Sequence, residues 1–209
     1  DLAGSNSRAV TERECLPLLE ALAAECSTII AAVLAERSGS KTYKTQYLIS
    51  PSGVIAAHRQ THLSERERQA GFSAGDERPP VVETLIGRVG LLSGVEGLVP
   101  ELAQSLKLRG AELIAWSAGN IGAPLRTIAR ARALEHHYYV VAAGHCADDG
   151  GGYVVAPAGA VLTETLPGEA MVMTADMNRV LARWNDMAPR TNPLRDRAAL
   201  HAGTVLKTS

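Results

Sequence analysis

A cysteine thiolate is a strong nucleophile and metal ligand, and this sequence contains three cysteines without a shared pattern. They form neither a CxxC pair nor the spacing of a metal site: Cys15, Cys26 and Cys146. An odd, unpatterned set is typical of a reducing cytoplasm, where each thiol acts as a small apolar residue. Cys146 follows a predicted strand, but His145 beside it would face the other way if that strand continued. The spacing therefore does not favour a Cys–His pair.

The other residues with chemical potential have simpler explanations than catalysis. Ser93 lies in a Gly-rich stretch, as a small polar residue in a tight turn does, and a serine nucleophile also needs a base beside it. Adjacent His136 and His137 are poorly arranged to share a metal ion, and they close a predicted helix, where a cation complements the helix dipole. Gly150–Gly152 lacks the Lys-Ser/Thr pair and the helix of a phosphate loop. We therefore expect no metal and no cofactor.

The charge balance argues against nucleic acid and membranes as partners. The 209 residues include 21 basic and 22 acidic side chains, for a net charge of −1, and the two signs are interspersed. No apolar run approaches the roughly 18 residues that span a bilayer, and no signal peptide is visible. The chain is long enough for one domain with a sizeable core, and we expect a cytoplasmic protein.

The first half of the chain predicts a helix, a strand and a hairpin. Glu14–Cys26 has apolar residues on one helical face, with Pro17 in the first turn. The apolar run Thr28–Ala35 predicts a strand buried on both faces. Thr45–Ser50 and Val54–His58 are strand-like segments around the turn Pro51-Ser52-Gly53. A charged segment, residues 61–80, predicts a long surface loop.

The second half alternates helices with strands. The predicted strands are Val81–Ile86, Arg88–Leu92, Leu113–Trp116, Tyr138–Ala143, Tyr153–Ala156, Ala160–Thr163 and Met171–Thr174. The predicted helices are Pro100–Leu108, Pro124–His136 and Asn178–Trp184. This order indicates a layered α/β domain over residues 13–200, between a flexible lead-in (1–12) and a C-terminal tail (201–209).

One segment connects the chain to a known family: Gly87-Arg-Val-Gly-Leu-Leu-Ser-Gly-Val-Glu-Gly-Leu-Val-Pro-Glu101. It resembles, without a gap, the stretch of the nitrilase (carbon–nitrogen hydrolase) superfamily in which a strand ends at a sharp turn holding the nucleophilic cysteine. Glu96 falls on the family's acidic position, whereas Gly94 falls on the cysteine. Pro51–Leu63 resembles the family segment that carries the catalytic lysine, and Gln60 stands at that position. Further segments agree in order, among them Arg130–Glu135, Gly151–Val161 and Ala175-Asp176.

The resemblance implies a four-layer α-β-β-α sandwich that lacks the N-terminal strands of the family, including the one that ends in the general-base glutamate. The family reaction needs a cysteine thiolate, a glutamate base and a lysine that stabilises the developing negative charge. Because Gly94 has no side chain and Gln60 no charge, the resemblance implies an inactive site. The residues expected to bind a ligand there are Gln60, Glu83, Ser93, Gly94, Glu96, Trp116 and Ser117.

We therefore expect a catalytically inactive nitrilase-like domain that binds a small molecule. Because the chain starts at Asp1 and lacks the opening strands, we expect a regulatory domain of a larger protein, such as a transcriptional regulator, with an associated N-terminal domain. The resemblance also implies a homodimer. Two alternatives stay open: an active amidase or nitrilase that acts on a small substrate, and a purely structural dimerisation module.

Overall fold

The computed structural model describes residues 11–145, 151–165, 171–184 and 191–192. Their strands form two sheets, one with three strands and one with six. Residues 1–10 and 201–209, and with them most of the predicted lead-in and the whole predicted tail, lie outside the described residues. No helix in the described segments is long and apolar enough to cross a membrane.

The smaller sheet is an antiparallel meander packed under one helix. Its elements are α1 (Glu12–Glu25), β1 (Ile30–Ser38), β2 (Lys41–Ser50) and β3 (Gly53–Arg59). Thr11 caps α1: its hydroxyl donates to Glu14 at 2.9 Å, so the helix begins before the predicted Glu14. Pro17, predicted in the first turn, consequently lies inside the helix. Ala23 of α1 packs on Leu34, Tyr47 and Ile49 of the sheet.

The prediction that the run Thr28–Ala35 is buried on both faces is wrong. The strand begins at Ile30 and lies at the edge of its sheet, where only Leu34 and Ala35 are buried. A continuous apolar run cannot distinguish a central strand from an edge strand, because the difference depends on which other strand pairs with it. Among the described residues, the outer edge of β1 pairs only through a bridge between Ala35 and Thr11.

The larger sheet has a parallel centre and antiparallel flanks. In spatial order its strands are β4 (Val81–Thr84), β5 (Gly87–Ser93), β6 (Leu113–Gly119), β7 (Tyr139–Gly144), β8 (Gly152–Val155) and β9 (Val161–Glu164). Strands β5, β6 and β7 are parallel, and helices α3 (Pro100–Leu108) and α4 (Pro124–His136) connect them. Such crossovers cover a face of the sheet, so the central strands are almost wholly apolar.

Three shorter elements complete the described structure. A 3-10 helix, Gly94–Leu98, follows β5 directly, and the predicted loop at residues 61–80 contains α2 (Glu65–Gln69). The last helix, α5 (Arg179–Arg183), confirms the predicted helix at Asn178–Trp184 within one residue at each end. The predicted strand Met171–Thr174 is wrong, because residues 171–178 have no regular secondary structure and are not paired with a strand of the sheet.

The two sheets pack face to face between outer layers of helices. Leu48 of β2 meets Leu91, Leu113 and Tyr139 of the larger sheet, which forms the core between the sheets. The opposite face of the larger sheet packs on α3 and α4 through residues that include Leu92, Leu106, Ile114, Trp116, Leu125 and Ala129. With α1 outside the smaller sheet, the order of layers is α-β-β-α, which confirms the predicted sandwich.

A buried carboxylate joins the two sheets at one end of the sandwich. Glu96 of the 3-10 helix is fully buried, and both of its oxygens lie 3.0 Å from Nε2 of His58 on β3. It also accepts hydrogen bonds from the Thr61 backbone N–H and hydroxyl, both at 2.8 Å, and from the Ser93 N–H at 2.9 Å. Burial alone would raise the pKa of Glu96, but His58 and the two N–H groups outweigh burial, so the pKa lies below its ordinary value.

Replacing this carboxylate tests how strongly it holds the sheets together. Glu96→Gln removes the charge that His58 faces and turns an amide NH2 toward groups that are themselves donors. We expect the free energy of unfolding at pH 7, measured in urea, to fall by about 3 kcal/mol. Because the folded pKa is below the unfolded one, the wild-type advantage is present at neutral pH and is lost as the pH falls through the folded pKa.

The matched control is Glu164→Gln, which removes a carboxylate from the exposed ion pair with Arg126. This variant should change the unfolding midpoint far less, because solvent screens an exposed pair. A Glu96→Gln defect equal to that of the control, or one equally large at pH 3 and pH 7, would contradict the assigned role of Glu96.

Candidate functional site

A cavity of about 610 Å³ opens at the carboxyl ends of the parallel strands, within the size range of small-molecule sites. The larger sheet contributes Gly94, Val95, residues 117–121 and residues 143–145. The smaller sheet contributes Val33 and Lys44, and the segment around α2 contributes Ser64, Arg66, Glu67, Ala70 and Phe72. The cavity therefore lies between the two sheets and under the segment that follows β3.

Gly94 lines this cavity but presents no reactive atom to it. Its φ of +52° is a left-handed conformation that favours glycine. A Cβ atom added there would lie 2.8 Å from Nε2 and 2.9 Å from Oε1 of Gln60. The Gln60 amide thus occupies the space into which a side chain at position 94 would project.

Gln60 is fully buried, and its amide is fully hydrogen-bonded. Its Nε2 donates to the carbonyl oxygen of His62 at 2.7 Å and to Glu67 Oε2 at 3.0 Å. Its Oε1 accepts the hydroxyl proton of Ser93 at 2.9 Å. Since the Ser93 proton is directed at an amide oxygen, which is a poor base, the arrangement does not activate Ser93 as a nucleophile.

A cation and a carboxylate that the sequence reasoning missed lie beside Gln60. Lys44 on β2 is the cross-strand neighbour of Gln60, whose N–H donates to the Lys44 carbonyl at 2.8 Å. The Lys44 ammonium forms an ion pair with Glu67, whose other oxygen accepts from Gln60. The adjacent strand therefore places a positive charge beside the neutral amide of Gln60.

Glu67 is held as a charged carboxylate. Burial alone would raise its pKa, but Lys44 and the Ser64 backbone N–H outweigh burial and keep the pKa below its ordinary value. Both Ser64 groups contact Glu67 Oε2, at 2.7 Å from the N–H and 2.9 Å from the hydroxyl. A carboxylate that is so fully hydrogen-bonded and so weakly basic is poorly suited to remove a proton from a nucleophile or from water. The Ser64-x-x-Glu67 spacing, a capping box, was the sequence signal for this contact.

The other residues expected at the site lie in four environments. Ser117 lines the cavity with Gly94. Trp116 is buried behind it and donates from Nε1 to the Gly94 carbonyl at 2.9 Å. Glu96 is enclosed between the sheets, in the clamp that it forms with His58, Thr61 and Ser93. Glu83 is exposed on β4, 3.9 Å from Arg88, and does not line the cavity. The structure therefore brings together every expected residue except Glu83.

In the part of the chain that is described, the cysteines and histidines form no second catalytic or metal-binding site. Cys15 and Cys26 do not line the cavity, and Cys146 lies outside the described residues, one position after His145, which does line it. Burial lowers the pKa of His136 to about 4, so it is neutral at pH 7, and the expected cation at this helix end is wrong for His136. No group of three or more metal-ligating side chains occurs in the described segments.

The contact between positions 60 and 94 predicts that substitutions there are coupled. Gly94→Ala alone should cost about 1–2 kcal/mol for the left-handed backbone, and more for the overlap with the Gln60 amide. Gln60→Ala removes that overlap, so the double variant should be about 1 kcal/mol more stable than the sum of the single effects in urea unfolding.

Gly39→Ala is the matched control, because Gly39 also has a left-handed φ (+61°) but open space around it. Its effect should add to that of Gln60→Ala without coupling. Additive effects of Gly94→Ala and Gln60→Ala would show that the Gln60 amide does not fill the space at position 94.

Comparisons with known proteins agree with this geometry. Residues 3–185 match the family model for carbon-nitrogen hydrolases. An (R)-stereoselective amidase from a Pseudomonas species is 32% identical over 187 residues, which covers 83% of this chain and 66% of the relative. The chain spans less than two thirds of that relative's length and a smaller share of other curated relatives, 48% for a nitrilase from Pyrococcus abyssi.

Solved structures show the same fold. A carbon-nitrogen hydrolase from Helicobacter pylori G27 superimposes with a TM-score of 0.81 over 94% of this chain and 77% of that chain, at 20% identity. An amidase from Nesterenkonia sp. AN1, with a covalent adduct on its active-site cysteine, has a TM-score of 0.74 at 25% identity, over 89% of this chain and 71% of that chain. The layered fold, the matched motifs and the family model together show that the chain belongs to the carbon–nitrogen hydrolase family.

Proposed function

We propose that this chain is a catalytically inactive carbon–nitrogen hydrolase domain that binds a small molecule. One observation carries the proposal: the Gln60 amide fills the space of a side chain at position 94, while a cavity of about 610 Å³ stays open beside it. Position 94 has no side chain that could act as a nucleophile, and the Gln60 amide occupies the space of such a side chain. The cavity beside it still has the volume for a ligand.

The chemistry of the cavity wall supports binding rather than covalent catalysis. Covalent hydrolysis of an amide requires a nucleophile, and the hydroxyl nearest to position 94, on Ser93, donates its proton to Gln60. Lys44 could stabilise negative charge, but stabilising an oxyanion does not help when none of the described residues generates one. The groups on the wall are suited to holding and orienting a ligand.

We further propose a regulatory role, with the domain acting for a larger assembly. The outer edge of β1 supports this proposal, since among the described residues it pairs only at Ala35 and leaves backbone groups for a partner. A fused or associated domain, such as that of a transcriptional regulator, would cover it. The free Cys15 and Cys26 suit a reducing compartment, and we propose the cytoplasm.

A homodimer is proposed from the apolar surface around α5. Leu85 and Trp184 are 94% and 64% exposed, and the guanidinium of Arg179 contacts the Leu85 carbonyl, which brings Leu85 next to α5. Light scattering after gel filtration should show a dimer for the wild type and a monomer for Leu85→Ser/Trp184→Ser. A monomeric wild type would rule the dimer out.

An active amidase is the second candidate, favoured by the named activities of the relatives and by the position of Cys146 directly after the cavity residue His145. The two functions are separated by measuring ammonia release from short aliphatic amides and nitriles, with an active amidase assayed in parallel. We expect no release from the wild type and none from Cys146→Ala. Release that depends on Cys146 would overturn the inactive assignment.

Binding is tested by ligand-induced stabilisation. A ligand present at 100 times its Kd should stabilise the fold by about 2.7 kcal/mol, which a thermal-shift screen of small amides, carboxylic acids and amino acids detects. Ser117→Leu, which fills the cavity from β6, should abolish the shift, whereas Ser52→Leu in an exposed turn should not. A shift that survives in Ser117→Leu would place the ligand elsewhere.

A further inference from the structure

The ammonium of Lys44 is directed into the space between the sheets. On β2, Lys44 shares a strand face with Gln46, whose amide donates to the Ala115 carbonyl of β6 at 3.0 Å, and with Leu48, which lies in the core between the sheets. The Lys44 side chain is only 20% exposed. A cation placed on such a face is costly unless partners compensate for the water it has lost.

Glu67 supplies only part of that compensation. An ammonium has three N–H donors, and among the described residues the one hydrogen bond made by the Lys44 ammonium goes to Glu67 Oε1. Lys44 also lines the cavity, together with apolar residues such as Val33 and Phe72. The structure therefore leaves donor capacity on Lys44 for a ligand.

The carboxylate of Glu67 has less capacity left. Its Oε2 receives three hydrogen bonds, from Gln60 and from the N–H and hydroxyl of Ser64, and its Oε1 accepts from Lys44. Among the described residues, the NH2 group of an amide ligand would therefore share Oε1 of the one lining carboxylate with the Lys44 ammonium. A ligand group that only accepts hydrogen bonds fits better.

The described charged side chains of the wall are compatible with an anion. They include Lys44, Arg66 and Glu67, and the ion pair of Lys44 with Glu67 leaves two donors of the Lys44 ammonium unused. The rest of the wall supplies apolar surface from Val33, Phe72, Val95 and Ile121. The complementary molecule is a monocarboxylate with an apolar body.

We propose that the cavity binds a small aliphatic carboxylate, anchored by Lys44 and discriminated from the matching primary amide. This inference rests on the proposed binding function and names the ligand class for that site. The carboxylate accepts hydrogen bonds from the free donors of Lys44, and its chain packs on the apolar wall. The chain should add about fourfold in affinity per buried methylene, which corresponds to about 0.8 kcal/mol.

The experiment compares butanoate, pentanoate and hexanoate with butanamide, pentanamide and hexanamide by calorimetric titration of the full chain at constant ionic strength. We expect each acid to bind at least tenfold more tightly than its amide and affinity to rise with chain length. Lys44→Met should weaken the acids tenfold or more while changing the amides little. Lys44→Arg should retain the preference because it retains the charge.

Lys41→Met is the matched control, because Lys41 is an exposed lysine on the same strand that does not line the cavity. It should bind like the wild type. If Lys44→Met does not fold, as judged by circular dichroism, then Lys44→Arg and the comparison of acids with amides on the wild type decide the question.

The outcomes separate this inference from the proposed function. Amides that bind as tightly as acids, or acid binding that is unchanged in Lys44→Met, would overturn the carboxylate assignment and leave a small-molecule site in place. No binding by either class would overturn both. Ammonia release from the amides would overturn the inactive assignment alone, since the preference for acids is measured separately by titration.

Discussion

The arrangement of this site depends on a carboxylate that cannot reach water. Glu96 follows β5 by three residues and holds His58 and Thr61, which belong to the end of β3 and the segment after it. Because the four donor groups come from both sheets, the carboxylate sets the distance between the end of β5 and the end of β3. Gly94 and Gln60 lie within this clamp, one on each side, so their contact follows from its geometry.

That contact gives a physical reason to treat positions 60 and 94 as one coupled unit. A side chain at position 94 and the Gln60 amide cannot occupy their present places together, since the nearest atoms would be 2.8 Å apart. With glycine at position 94, the amide can turn toward Ser93 and Glu67 and satisfy all of its hydrogen bonds. Glycine at position 94 is thus compatible with a buried polar network in which both polar atoms of the Gln60 amide have partners.

Local patterns in the sequence were sufficient to predict most of the helices and strands of the fold. The motif from Gly87 to Glu101 located β5, the 3-10 turn and the start of α3, because its glycines and Pro100 mark positions where the backbone has few choices. The edge position of β1 and the irregular path of residues 171–178 could not be predicted this way. Both depend on which strands pair, and pairing is a property of the tertiary structure.

The sequence predicted site residues that lie within one segment of the chain, but not residues that meet because neighbouring strands pair. Gly94 and Gln60 were identified from the aligned motifs, but Lys44 was not, because its importance arises from the register that places it next to Gln60. Glu83 was included because an acid occurs at that point of the motif, yet β4 carries it to the surface. Residues that meet through strand pairing therefore need the structure, even when each of their strands is predicted correctly.

In the proposed inactive site, the charge of Lys44 contributes differently from a charge in an enzyme. In an enzyme, a positive charge is most useful when it interacts more strongly with the transition state than with the bound substrate. In the proposed binding site no oxyanion develops, so the interaction of Lys44 with an anion contributes to the ground state alone. The energy that would have lowered a barrier then appears as affinity for a molecule that is already charged. A binding domain can thus arise from an enzyme fold when a charge is kept at the site and the atom that attacks the substrate is lost.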